Sequence, residues 1–452
     1  MSDKLKKAET IDDIYVTFKY RPLEVDEIKE FYVDTEQVRG GKPPRRRIAR
    51  MLDKETGDFQ HILLVGYKGC GKSTELNHLE LDIKDKYLVI NYSIMTELDP
   101  EHLSYIELFI VTMESLFTLA KNNNIKISNE YIEHITRWIQ SKEILEIREK
   151  YNIGMEAEAG LDGKIGIPFL QNFFYKFKLS AKSSRALKET LKTNVEPKLS
   201  DLIEHCNLLI KEVKIGLQKI GKKDMVIIIE DLDKIPIERA NDLFFNYANQ
   251  LTSLKTNIVF TFPITSYYNI RFTAIRQYFT EVLELPMIKV KNKNQTDFEQ
   301  GILLLKKIVE KRMNMDLFEN PKSLNLLIEK SGGCIRDLFR LIADAAESAI
   351  DDARAKISKE DCESSIASLK KDYSATIADN FFGGKKIEVE SYFNALVEVA
   401  KSSNKNIANT EEVLDLRQNL CILGYNGEGW CDVHPIVKTI LIEKNLWDGK
   451  QN

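Results

Sequence analysis

The sequence predicts an α/β fold: a parallel sheet covered by helices on both faces, interrupted by a mainly helical insertion and followed by two smaller units. Three observations predict it. Short apolar runs alternate with helical patterns as far as Val290. A glycine-rich turn stands directly between the first run and a helix. Beyond Val290 the pattern turns helical and closes on a hairpin signal. Strands that alternate with helices argue for parallel pairing, because a parallel crossover needs a long connection, usually a helix.

The elements follow in order. Residues 1–35 read as a helical or mixed lead-in. The basic stretch Arg39-Gly40-Gly41-Lys42-Pro43-Pro44-Arg45-Arg46-Arg47 reads as a loop before a helix that ends near Leu52. Five buried strands are expected at His61–Val65, Leu88–Tyr92, Val226–Ile229, Ile258–Phe262 and Met287–Val290. They define a core over 36–292. The long gap over 97–223 is an insertion, helical at Glu101–Lys121 and Asn129–Lys150. A β-hairpin is expected around Asp162-Gly163. The run Phe169, Phe173, Phe174, Tyr175, Phe177 is read as core beneath that hairpin or as a docking face for a partner or membrane. Segments Phe298–Arg312, Leu324–Lys330, Arg336–Asp351 and Lys359–Leu369 make a four-helix unit over 293–372. Over 380–447 come helix, helix and a hairpin turned at Asn426-Gly427, the pattern of a winged helix.

Composition bounds the function. Of 452 residues, 43% are hydrophobic and 30% charged, which excludes a disordered or collagen-like chain. Lys+Arg is 65 against Asp+Glu 69, so no chain-wide basic field exists to grip nucleic acid. Six cysteines without a CxxC pair read as reduced thiols. No secretory apolar segment and no spanning apolar run is present, which leads to the expectation of a cytoplasmic protein with no membrane partner.

The most specific motif is Gly66-Tyr67-Lys68-Gly69-Cys70-Gly71-Lys72-Ser73, followed by Thr74. It fits G-x-x-x-x-G-K-[ST] in strand–loop–helix context. Glycines let backbone wrap a phosphate, and the loop N–H groups with the helix N-terminus favour an anion. ATP or ADP is the expected ligand. Gly66, Lys68, Gly69, Cys70, Gly71, Lys72, Ser73 and Thr74 would bind it. Lys72 would reach the β- and γ-phosphates, and the Ser73 hydroxyl would ligate Mg²⁺.

The run Val226–Ile229 ends in Glu230-Asp231, with Asp233 and Lys234 just beyond. One acid would assist Mg²⁺ and the next orient the attacking water. Glu230 is the expected metal residue, though its long arm leaves the division of labour with Asp231 open. Thr261, Thr265 and Ser266 are candidates to sense the γ-phosphate. Arg271 and Arg276 are either exposed helix arginines or fingers for a neighbouring subunit.

With these motifs in this order, the chain resembles AAA+/STAND-class P-loop ATPases. It is similar to prokaryotic ATPases whose loop continues Gly-Cys-Gly-Lys-Ser-Thr-Glu-Leu, here Gly69 to Leu76, and whose winged helix carries Tyr-Asn-Gly and Asp-Val-His-Pro, here Tyr425 to Gly427 and Asp432 to Pro435. The resemblance implies a P-loop NTPase sheet of order 5-1-4-3-2, a helical lid and ATP hydrolysis. Gly332-Gly333-Cys334-Ile335-Arg336 resembles a sensor-2 element, which implies that Arg336 touches the γ-phosphate. Val433-His434-Pro435 resembles the STAND motif, which implies that His434 reaches the β-phosphate of ADP. The resemblance to defence-associated ATPases implies an antiphage or stress-signalling role, with a homo-oligomer or a separate effector as partner. Between Lys385 and Lys444 nine acidic residues face seven basic ones, so DNA is not the favoured partner. The cluster Arg45–Arg47 is the one compact basic patch.

Overall fold

The computed structural model describes residues 4–54, 57–153, 166–194, 199–402, 407–425 and 430–450. Its centre is a five-stranded sheet: β1 (His61–Gly66), β2 (Tyr87–Ser93), β3 (Asp224–Glu230), β4 (Asn257–Phe262) and β5 (Glu281–Leu285). The order is β2-β3-β4-β1-β5 and every neighbouring pair is parallel. That is the predicted 5-1-4-3-2 order read from the other edge, the sheet of an α/β P-loop NTPase fold. β1 and β4 are buried along their whole length, as strands covered on both faces must be.

Register fixes where the site lies. Ser93 pairs with Glu230, Val65 with Phe262, and Gly66 with Leu285. All five strands therefore end along one edge, where an open parallel sheet binds its ligand.

The fifth strand lies earlier than expected. Glu281–Leu285 pairs with β1, its apolar Val282, Leu283 and Leu285 interrupted by Glu284. The apolar run Met287–Val290 is instead a connector buried by other parts of the chain. Met287 N donates to Gly424 O at 3.1 Å, and the Ile288 carbonyl lies against Gly333. Continuous burial made it look like a strand, but its covering is the lid and the C-terminal unit.

The insertion is helical over Tyr105–Asn122, Asn129–Ile139, Lys142–Tyr151, Ile167–Ser183, Arg185–Asn194 and Leu199–Lys219. The expected hairpin around Asp162-Gly163 lies outside the described residues. The aromatic run lies in the helix Ile167–Ser183. Leu170, Phe173, Phe174, Phe177 and Ala181 form its buried face at helical spacing, while Tyr175 points outward. Phe174 stacks on Phe117 and Trp138 with centroids 5.7 and 6.4 Å away. These aromatics are core of the insertion. No described helix is long and apolar enough to cross a membrane.

The four lid helices are Glu299–Glu310, Pro321–Lys330, Ile335–Asp351 and Lys359–Thr376. The C-terminal unit holds a short hairpin of β6 (Asn380–Phe382) and β7 (Lys385–Ile387), then helices Val389–Lys401 and Glu411–Gln418. A second hairpin of β8 (Ile422–Tyr425) and β9 (Trp430–Val433) and the helix Pro435–Glu443 follow. The Asn426-Gly427 turn lies outside the described residues.

Candidate nucleotide site

A cleft of ≈ 1060 Å³, counted with the solvent at its mouth, lies between the loop after β1, the lid and the N-terminal segment. The loop has the backbone its glycines allow. Gly69 and Gly71 have φ of +78° and +104°, a left-handed conformation that a side chain would strain. The helix Lys72–Ile83 starts at once, with its first N–H groups turned to the cleft.

Lys72 is buried at the centre. Its Nζ donates to Gly66 O at 2.8 Å and Tyr67 O at 3.0 Å, and pairs with Asp233 Oδ2 at 2.9 Å. Burial pulls its pKa down, but the charge of Asp233 outweighs that and the ammonium is held above its usual range. Asp233 answers in kind. Burial pushes it up, yet the Lys72 charge holds it below the usual carboxylate range.

The two acids ending β3 have different surroundings. Glu230 Oε1 accepts from Asn91 Nδ2 at 3.1 Å. Burial raises its pKa against hydrogen bonds from Ser73 and Asn91 that favour the charged form. Ser73 and Glu230 thus stand together as hard oxygen donors, the set that Mg²⁺ takes. Asp231 has φ +68°. Its carboxylate is held by the Ser93 hydroxyl and by Lys234 Nζ. The structure therefore brings Asp233, not Asp231, to Lys72. The sequence run contained Asp233, but the division of roles between the first two acids passed over it.

Other predicted residues divide into those at the cleft and those away from it. Lys68 and Arg336 line it, and neither makes an ion pair among the described residues. Burial lowers the Lys68 pKa. Arg336 sits on the loop so closely that a Cβ at Gly69 would lie 2.6 Å from its own Cβ. Cys70 is buried, and its carbonyl accepts from Arg39 Nη2 at 2.7 Å. The Thr74 hydroxyl accepts from Leu23 N at 3.2 Å.

His434 is not at the cleft. It is fully buried, 3.2 Å from Asp337 Oδ2, and stacked on Tyr373 at 4.6 Å. Its Nδ1 accepts from Ile436 N and caps the last helix. The predicted phosphate contact is thus replaced by a contact with the neighbour of Arg336. Arg271 lies over the Phe245 ring at 4.8 Å, and Arg276 bonds the Phe279 carbonyl. Both are engaged within their own chain. The Arg45–Arg47 patch is neutralised: Arg45 pairs with Asp82 and Glu75, Arg46 with Asp34 and Glu36, Arg47 with Glu281. Of the three sensor candidates, Thr261 accepts from Leu232 N and Ser266 bonds Asn241, while Thr265 Oγ1 is buried without a partner.

The cleft also uses residues that sequence reasoning passed over. Tyr20 to Leu23, Phe31 to Val33 and Thr35 form one wall, so the lead-in belongs to the site. Arg39 and Arg312 line it too, both buried. Burial lowers Arg312 to about 10. Cations outnumber free carboxylates here, which suits an anionic ligand.

The loop has a second contact, from the C-terminal unit. Tyr67 is fully buried, and its hydroxyl lies 2.6 Å from Arg417 Nη1. Arg417 stacks on Tyr268 at 4.4 Å, and Gly424 packs so tightly that a Cβ there would lie 2.6 Å from the Tyr67 oxygen.

No family model and no curated protein matches this chain. Among solved structures it is similar to the ORC1 protein of Aeropyrum pernix in complex with DNA, at 13% identity over 90% of this chain and 85% of that one, TM-score 0.36. Cdc6p of Pyrobaculum aerophilum is 14% identical over 93% and 99%, TM-score 0.37. A Walker-type ATPase of Pyrococcus abyssi is 12% identical over 94% and 99%, TM-score 0.38. Likeness at that level carries nothing about activity. The fold rests on the sheet order and the loop.

Proposed function

We propose that the chain is an ATPase that binds ATP with Mg²⁺ in this cleft and hydrolyses it. The observation that carries the reading is Lys72, a buried ammonium held by Asp233 where phosphate would arrive. A bound triphosphate offers Lys72 acceptors of higher charge than Asp233. As the ammonium turns to the phosphates, Asp233 is left buried without its cation, and burial then raises its proton affinity. It becomes the proton acceptor for the attacking water, which Asp231 was expected to orient. Asp231 shapes the strand end. Ser73 and Glu230 would hold Mg²⁺, which when bound neutralises charge on the β- and γ-phosphates. Arg336 reaches over Gly69 to the γ-phosphate, and Lys68 adds a second cation.

Lys72→Ala tests this. Calorimetry should find ADP and a non-hydrolysable ATP analogue bound at least about 100-fold more weakly than by wild type, as loss of a buried charged contact implies. Tight binding by the variant sinks the assignment.

A second reading, a nucleotide-driven switch, is favoured by the Tyr67–Arg417 contact. In it the core (36–292), lid (293–372) and winged helix (380–447) move against one another as the loop fills and empties. His434 then acts through Asp337 and Arg336 rather than on ADP. A second copy or a separate effector would take the output, in the cytoplasm. The antiphage role rests on the sequence resemblance alone.

A further inference from the structure

We infer that Gln418, in the C-terminal unit, is a catalytic residue that holds the attacking water; the inference rests on the ATPase reading above. Behind the phosphate loop lies a second, smaller cavity of ≈ 310 Å³, counted with the solvent at its mouth. Its polar lining is Gly66, Lys68, Asp233, Thr265 and Gln418. Lys68 and Asp233 also line the nucleotide cleft, so the two spaces meet at these side chains.

Two atoms facing this region lack partners. Thr265 Oγ1 and Gln418 Oε1 are both buried without a hydrogen bond. Buried polar atoms are almost always satisfied, and a polar cavity with several such groups holds water. Here the water would have Thr265, Gln418 and the Asp233 carboxylate around it, beside the phosphate loop. Neither orphan is explained by packing. A water between them would satisfy both.

The residue before Gln418 accounts for its position. Arg417 is fixed by Tyr67 and Tyr268. The end of helix Glu411–Gln418 is thereby pinned to the loop that binds phosphate, and Gln418 arrives with it.

The step balances as ordinary hydrolysis. The water oxygen bonds to the γ-phosphorus as the bond from that phosphorus to the β–γ bridging oxygen breaks. The electron pair leaves with ADP, and the water proton passes to Asp233, freed of Lys72. Gln418 Oε1 and Thr265 Oγ1 orient the water and stay unchanged.

The test uses the full chain loaded with ATP and Mg²⁺ and follows one turnover, with ADP affinity measured alongside. Gln418→Ala should slow the turnover about 100-fold while ADP affinity stays within about twofold. Gln418→Glu, which keeps the size but repels the γ-phosphate, should be slow as well with ADP binding intact. A turnover rate within about twofold of wild type in Gln418→Ala overturns the inference. So does a parallel loss of ADP affinity in both variants, which would make Gln418 a docking residue. Wild type that binds ATP and converts none also overturns it. Wild type that binds neither nucleotide fails the ATPase reading itself.

Discussion

The phosphate loop is gripped from two sides, and the grips differ in kind. On the lid side Arg336 lies over Gly69 and has no counter-ion among the described residues. On the C-terminal side Tyr67 is sealed against Arg417 and Gly424. The first contact is charged and half-buried. The second is buried and packed, with one guanidinium nitrogen bonded to Tyr67 and Arg417 Nε left without a partner. A loop held this way changes its free energy on the lid side when ligand arrives and transmits the change only if the C-terminal side yields. Cores resist gradual deformation, so such a contact is kept or lost as a unit.

The comparison can be broken on the packed side first. Arg417→Met keeps bulk but leaves the Tyr67 hydroxyl buried and unpaired. Chemical denaturation should show a loss of about 2–3 kcal/mol, the cost of an orphaned buried group that had bonded a charge. An unchanged midpoint would mean that the contact is slack. On the open side, Arg336→Ala should weaken binding of a non-hydrolysable ATP analogue about tenfold, or about 1.4 kcal/mol. ADP affinity and melting temperature should barely move. Equal losses for ATP and ADP would place Arg336 away from the γ-phosphate.

The smallest effect concerns the hinge between the sides. Asp337 neighbours Arg336 and faces His434. Burial raises its pKa, but His434 and Tyr373 outweigh that, and its carboxyl lies below the ordinary 3.8. A depressed carboxylate stabilises the fold above its unfolded pKa and loses that contribution as pH falls through the folded value. The melting-temperature gap between wild type and Asp337→Asn should therefore be constant above about pH 5 and close below the ordinary aspartate value. A gap that widens in acid would refute the pairing.

Contiguity decided what was legible. The loop Gly66 to Ser73 could be read because eight neighbouring residues carry its chemistry. The sheet order was implied by the family resemblance that this motif helps to carry. Asp233 stood in plain sight, but its place depends on φ +68° at Asp231, which swings the chain so that the residue two further on faces Lys72. No spacing rule encodes that torsion. Residues 20–35 have no repeat to announce a role. Tyr20 to Leu23 and Phe31 to Val33 line the cleft, and Leu23 is bonded to Thr74 and Asn77 on the loop helix. Arg417 and Tyr67 are 350 positions apart, and Gln418 lines its cavity next to that contact. His434 was placed by resemblance at the phosphate, and its burial against Asp337 is a fact of docking.

The turn before Arg336 has a mechanical consequence. Gly332 and Gly333 are both left-handed, and a Cβ at Gly333 would lie 1.7 Å from the Ile288 carbonyl. Backbone therefore bears on backbone with no side chain between, which is a fulcrum. Arg336 sits near it, while the helix it opens runs on to Asp351. At 1.5 Å per residue the far end is about 25 Å away, so a tilt of about 10° that shifts Arg336 by about 1 Å sweeps Asp351 through about 4 Å. A phosphate-sized displacement at the short arm becomes a surface-sized one at the long arm.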